Sequence, residues 1–153
     1  MNLDALVPLK GIVMNRNNVD TFEKLSGQLS STYEEISLLS KKNPNDAVNK
    51  FKLKFVNKLI SQSNDYLAEK YKPFDDFDNF DEDDIPQNSD VVFILSQYLQ
   101  CFEKQRADNV VINRGAWYWR VQGNDEDKLD EEGMVLIRTI KPKKLKDWKS
   151  EYR

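Results

Sequence analysis

Carboxylates are the reactive groups this sequence concentrates most. Residues 74–86 read FDDFDNFDEDDIP, with seven acids in thirteen positions and phenylalanine at 74, 77 and 80. Clustered carboxylates can chelate a divalent cation, act as general acid and base, or offer negative charge to a basic partner. A helix–loop–helix calcium site needs oxygen ligands at alternate positions, a glycine at the sixth and a glutamate at the twelfth. Asp76 and Asp78 start that pattern, but Phe80 and Asp81 fall where the third ligand and the glycine belong. In a second acidic run, GNDEDKLDEEG at 123–133, Asp125 and Asp127 are followed by Leu129. Neither run predicts a specific metal site, and no cofactor motif is present.

The phenylalanines admit three readings. A spacing of three puts Phe74, Phe77 and Phe80 on one side of a loop or 3₁₀ turn, with the acids facing water. In the first reading the rings clip a connection to the core. In the second they form a docking motif, with the rings in a partner's groove and Asp81, Asp83 and Asp84 on a basic rim. In the third the stretch imitates the charge of DNA, which a single run of acids suits poorly.

Other chemistry is excluded by absence. The chain has no histidine and one cysteine, Cys101. Histidine-based acid–base catalysis, Ser-His-Asp and Cys-His nucleophiles, histidine and thiolate zinc sites and intrachain disulfides are therefore ruled out. Cys101 lies in the apolar run VVFILSQYLQCF and is expected to pack as a small hydrophobe. A reducing compartment suits such a chain, and the cytoplasm is the expected location. MNLDALVPLKGIVM lacks a signal-peptide pattern, and no apolar run approaches the length of a membrane span.

Basic and aromatic residues gather near the C-terminus. Trp117, Tyr118 and Trp119 lie between Arg114 and Arg120, and Lys141, Lys143, Lys144, Lys146 and Lys149 surround Trp148. Aromatic rings beside cations are the ingredients of a nucleic-acid platform. Strand alternation puts both tryptophans on one face, where burial against helices is the simpler expectation. Residues 73–90 carry net charge −8, residues 123–133 carry −5 and residues 134–153 carry +5. The overall pI of 5.1 argues against free nucleic-acid binding without excluding a local basic patch.

The elements that must position these groups follow from periodicity. At 153 residues the chain fits one domain, and its seventeen aromatics argue against global disorder. Phe22, Leu25, Leu29, Tyr33, Ile36 and Leu39 make one helical face over 20–40, with Asp20 and Glu23 at capping-box spacing. Pro44 ends it. A second helix over 46–71, capped by Asn45 or Asp46, would bury Val48, Phe51, Phe55, Leu59 and Leu67, forming an antiparallel hairpin with the first. A third over 89–106 carries Val91, Ile94, Leu95, Tyr98 and Phe102, with Val92 and Phe93 marking it as the most buried. NVVI–NRG–AWYWRVQ reads as a β-hairpin, and 134–140 as a third strand pairing with 116–122.

The expected fold is α+β: a three-helix layer packed on a small antiparallel sheet of about three strands, in a single domain 1–153. It carries an acidic connection at 73–88, an acidic loop at 123–133 and a basic tail at 141–153. The favoured function is a non-enzymatic interaction protein (adaptor, inhibitor or accessory subunit) that meets another protein through Phe74, Phe77, Phe80, Asp81, Asp83 and Asp84. The alternative is nucleic-acid binding through Lys143, Lys144, Lys146, Trp148 and Arg120. A carboxylate-dependent metal enzyme is third. No membrane partner is expected.

Overall fold

A computed structural model describes residues 14–123 and 133–143. The described chain is α+β, with three helices and a three-stranded antiparallel sheet: α1 Arg16–Lys42, α2 Lys50–Tyr71, a 3₁₀ turn Glu82–Asp84, α3 Asn88–Asn109, β1 Val110–Asn113, β2 Ala116–Gln122 and β3 Met134–Arg138. Contacts divide the chain into two compact units. One holds residues 22–102. The other holds residues 14–21 with 103–123 and 133–143.

Helix α1 starts four residues before Asp20. The Asn15 amide oxygen accepts from the Asn18 N–H at 2.8 Å, and the Asn18 side chain accepts from the Asn15 N–H at 3.0 Å. That reciprocal pair is a capping box built from two asparagines, and Val19 N–H makes the first helical bond to the Asn15 carbonyl. Met14 and Val19 occupy the staple positions on either side, and both are buried.

Helix α2 corrects the sequence reading twice. It begins at Lys50, capped by the Asn49 side chain accepting from Lys52 N–H at 2.8 Å, not at 46. Residues 43–48 pair instead with the segment entering α3. Val48 N–H donates to the Pro86 carbonyl, Asn88 N–H to the Asp46 carbonyl and Ser89 N–H to the Pro44 carbonyl. Those long-range bonds satisfy backbone groups that a helical extension would have taken. The buried face overlaps the expected one only in part: Val48, Leu59 and Leu67 are buried as expected, and α2 adds Leu53, Val56, Ile60, Ser63 and Tyr71. Phe51 and Phe55 are exposed, at 72% and 53%.

Ala68, within α2, has φ 54° and ψ −167°, a region only glycine enters at low cost. Ala68→Gly is expected to stabilise the protein by about 1 kcal/mol in thermal unfolding, the relieved strain outweighing glycine's extra unfolded-state entropy.

The unit of residues 22–102 is organised by an aromatic cluster, in which Phe22 meets Phe102 edge-on at 5.1 Å and Tyr66 stacks on Phe102 at 5.8 Å. On α3, Val91, Leu95, Tyr98, Leu99 and Phe102 are buried, but Phe93 is not, so the helix has one wet side after all.

In the other unit the sheet order is β1-β2-β3. The β1–β2 hairpin turns through Arg114 and Gly115, both at positive φ, the two-residue form whose twist matches the strands. Pairing of β2 with β3 runs from Tyr118↔Arg138 to Gln122↔Met134. Trp119, Val121 and Val135 are buried. Arg106 of α3 lies 5.5 Å from the Trp119 ring centroid, forms an ion pair with Glu103 at 3.3 Å and donates to Thr139 Oγ1.

Candidate docking surface

The acidic connection is held to α2 by two asparagines. Asn57 accepts from Phe80 N–H at 2.8 Å and donates to the Phe80 carbonyl at 3.0 Å, as a neighbouring β-strand would. Asn64, two turns on, donates to the Phe77 carbonyl at 3.0 Å and accepts from the Tyr98 hydroxyl at 2.7 Å. Phe74, Phe77 and Phe80 are all half-buried. They form a chain of edge contacts at 6.0 and 5.3 Å, and Phe74 also meets Tyr98 at 6.4 Å. The rings thus have partners within the chain, and the carboxylates do not share that burial. Asp81 accepts from Asp83 N–H to start the 3₁₀ turn, and Glu82, Asp83 and Asp84 are exposed. Ile85 closes the turn in the left-handed region, at φ 49°, and is also exposed.

Burial raises the Tyr98 hydroxyl to about 12 against an ordinary 10.0, with the Asn64 hydrogen bond acting the other way and Cys101 and Asp78 adding smaller upward contributions. A raised acid favours the neutral form in the folded chain. The Tyr98 contribution to stability is therefore complete below pH 10.0 and is lost as pH rises toward about 12. Burial also raises the Cys101 thiol to about 11, so it stays protonated and unreactive near neutrality.

The basic tail reading is placed only in part. Lys143 is exposed, and its backbone N–H donates to Glu103. Lys144, Lys146 and Trp148 lie outside the described residues, as does most of the 123–133 loop. Arg120 is half-buried on the sheet face opposite Trp119, where Arg138 lies 5.6 Å from the Tyr118 ring centroid. Trp119 is sealed and cannot stack on a base. Among the described residues no group of three or more acids, histidines or cysteines could hold a metal ion. No described helix is long and apolar enough to cross a membrane.

Sequence reasoning missed a groove of 840 Å³ between α1 and α2. Its apolar lining is Ile36, Leu59, Phe51 and Phe55, and the two phenylalanines meet edge to face at 5.0 Å. Lys24, Lys52 and Lys58 also line it, and Lys52 pairs with Glu35 at 2.8 Å. At 100° per residue, Leu53, Val56 and Ile60 lie ~140–200° round α2 from Phe51. That offset was the available signal: a second apolar row at perfect helical spacing places the rings on the outside. Gly27 also lines the groove, with nothing within 4 Å of where a Cβ would stand.

The fold and surface define a class only: an α+β chain with a helical hairpin that presents an aromatic, lysine-flanked groove. No family model, curated protein or solved structure matches the chain.

Proposed function

We propose that this chain is a non-enzymatic protein–protein interaction protein whose α1–α2 groove receives an acidic, apolar-anchored segment of a partner protein. The observation that carries this reading is the exposed Phe51–Phe55 pair on the groove wall. Full burial of a phenylalanine is worth about 1.5–3 kcal/mol, and this pair leaves more than half of that unused in the free chain. Lys24 and Lys58 line the groove, Lys52 lines it paired with Glu35, and exposed Lys50 and Lys54 lie about 60–100° round α2 from Phe51 on the side away from the groove. Cations on both sides of an apolar row favour an acidic occupant and disfavour a basic one. Lack of histidine and the single high-pKa cysteine support a binding role over catalysis, and a reducing cytoplasmic setting suits that thiol.

The test compares wild type with Phe51→Ser/Phe55→Ser as affinity baits in lysate of the native host. Loss of these exposed rings should leave the melting temperature nearly unchanged. Specific proteins retained by wild type should be lost with the variant and released by salt. Retention of the same proteins by both baits overturns the reading, as does release by nuclease alone.

A further inference from the structure

The unit of residues 22–102 carries both halves of a complementary pair. One half is the groove, with Phe51 and Phe55 open and Lys24 and Lys58 without a salt-bridge partner among the described residues. The other half is the turn at 81–85. Four acids, Asp81, Glu82, Asp83 and Asp84, precede Ile85, which is 63% exposed. Ile85 is β-branched yet sits at φ 49°, a conformation such residues adopt at a cost. Asparagine or glycine would meet the turn's backbone demand better. The turn keeps an apolar tip where local structure favours a polar residue, and acidic groups surround that tip. Such a tip matches the groove in both polarity and charge. In the free chain Phe51, at 72%, and Ile85 are both open to solvent.

We infer that the turn at 81–85 of one copy seats in the α1–α2 groove of a second copy, with Ile85 against Phe51 and Phe55 and the acids at Lys24 and Lys58. The inference rests on the reading of the groove as a receptor for an acidic, apolar-tipped segment, and it names that segment. Reciprocal exchange puts each turn in the other copy's groove and closes a two-fold dimer, whereas one-way insertion would propagate a chain. Two small insertions sustain a weak dimer, in the micromolar to millimolar range.

Sedimentation equilibrium from about 10 μM to about 1 mM tests this on the whole chain, a span that covers weak affinities. Wild type should pass from monomer to dimer and dissociate as salt is raised. Ile85→Asn should weaken association at least tenfold while raising the melting temperature, because asparagine tolerates positive φ. A purely structural role for Ile85 would not couple those opposite changes. Lys24→Glu/Lys58→Glu should weaken association similarly, and adding Asp83→Lys/Asp84→Lys should restore it. A monomer throughout the range, association indifferent to Ile85→Asn, or failure of the charge swap to restore it overturns the pairing. If the chain stays monomeric but still loses its host proteins with Phe51→Ser/Phe55→Ser, the homotypic pairing fails and the groove reading stands. If those host proteins are retained as well, both fail.

Discussion

Arg106→Met should lower the stability of the chain by about 3–5 kcal/mol, read as a fall in the urea midpoint at neutral pH. Arg106 is 2% exposed and Glu103 7%. The guanidinium pairs with Glu103, donates to Thr139 and lies over Trp119. Methionine restores most of the apolar volume but leaves the Glu103 carboxylate buried with the Lys143 N–H as its remaining described donor. An uncompensated buried charge costs more than the ion pair contributes, which gives the prediction its second arm. Glu103→Gln in the Arg106→Met background should recover most of the loss, because the double variant removes both charges. A double variant that is no more stable than Arg106→Met would mean the arginine acts mainly by packing on Trp119.

Asn57→Ala should cost about 1–3 kcal/mol, since it strips the partners from both backbone groups of Phe80 at once. The loss should be local first. In hydrogen exchange, protection of the Phe80 amide should collapse while amides of the Phe22–Tyr66–Phe102 cluster keep theirs. Asn57→Asp should behave no better, because it retains the acceptor for Phe80 N–H but turns an acceptor toward the Phe80 carbonyl. Unchanged protection at Phe80 in Asn57→Ala would mean the rings alone hold the connection.

How much of this was legible in the sequence depends on the range of the forces involved. The three helices and the β1–β2 hairpin could be read because α1 repeats Phe22, Leu25, Leu29 and Ile36 at helical spacing, α3 does the same from Val91 to Phe102, and Arg114–Gly115 marks a turn between alternating strands. The start of α1 was written in Asn15 and Asn18 but obscured by Asp20 and Glu23, whose spacing is equally good. The start of α2 could not be read from its own residues, because bonds to Pro86 and Asn88 set it.

The candidate surface was harder still. Phe51 and Phe55 share helical spacing with Leu59, which borders the buried row of α2, so the whole set was read as one inward face; Val48, Leu59 and Leu67 are buried and the two rings are not. A groove made by two helices has no local signature. The threefold spacing of Phe74, Phe77 and Phe80 did describe rings that touch in sequence. Asn57 and Asn64, which hold that segment, resemble ordinary polar positions on a helix, and nothing nearby in sequence names their partners.

The most direct measurement of the central claim is hydroxyl-radical footprinting of the chain, purified and dilute, against the same chain recovered in complex from its host. Phe51, Phe55 and Phe93 are all more than half exposed in the free chain. If the α1–α2 groove is the docking surface, oxidation of Phe51 and Phe55 falls several-fold in the complex while Phe93 oxidises as before. Equal oxidation of Phe51 and Phe55 in both states would contradict it.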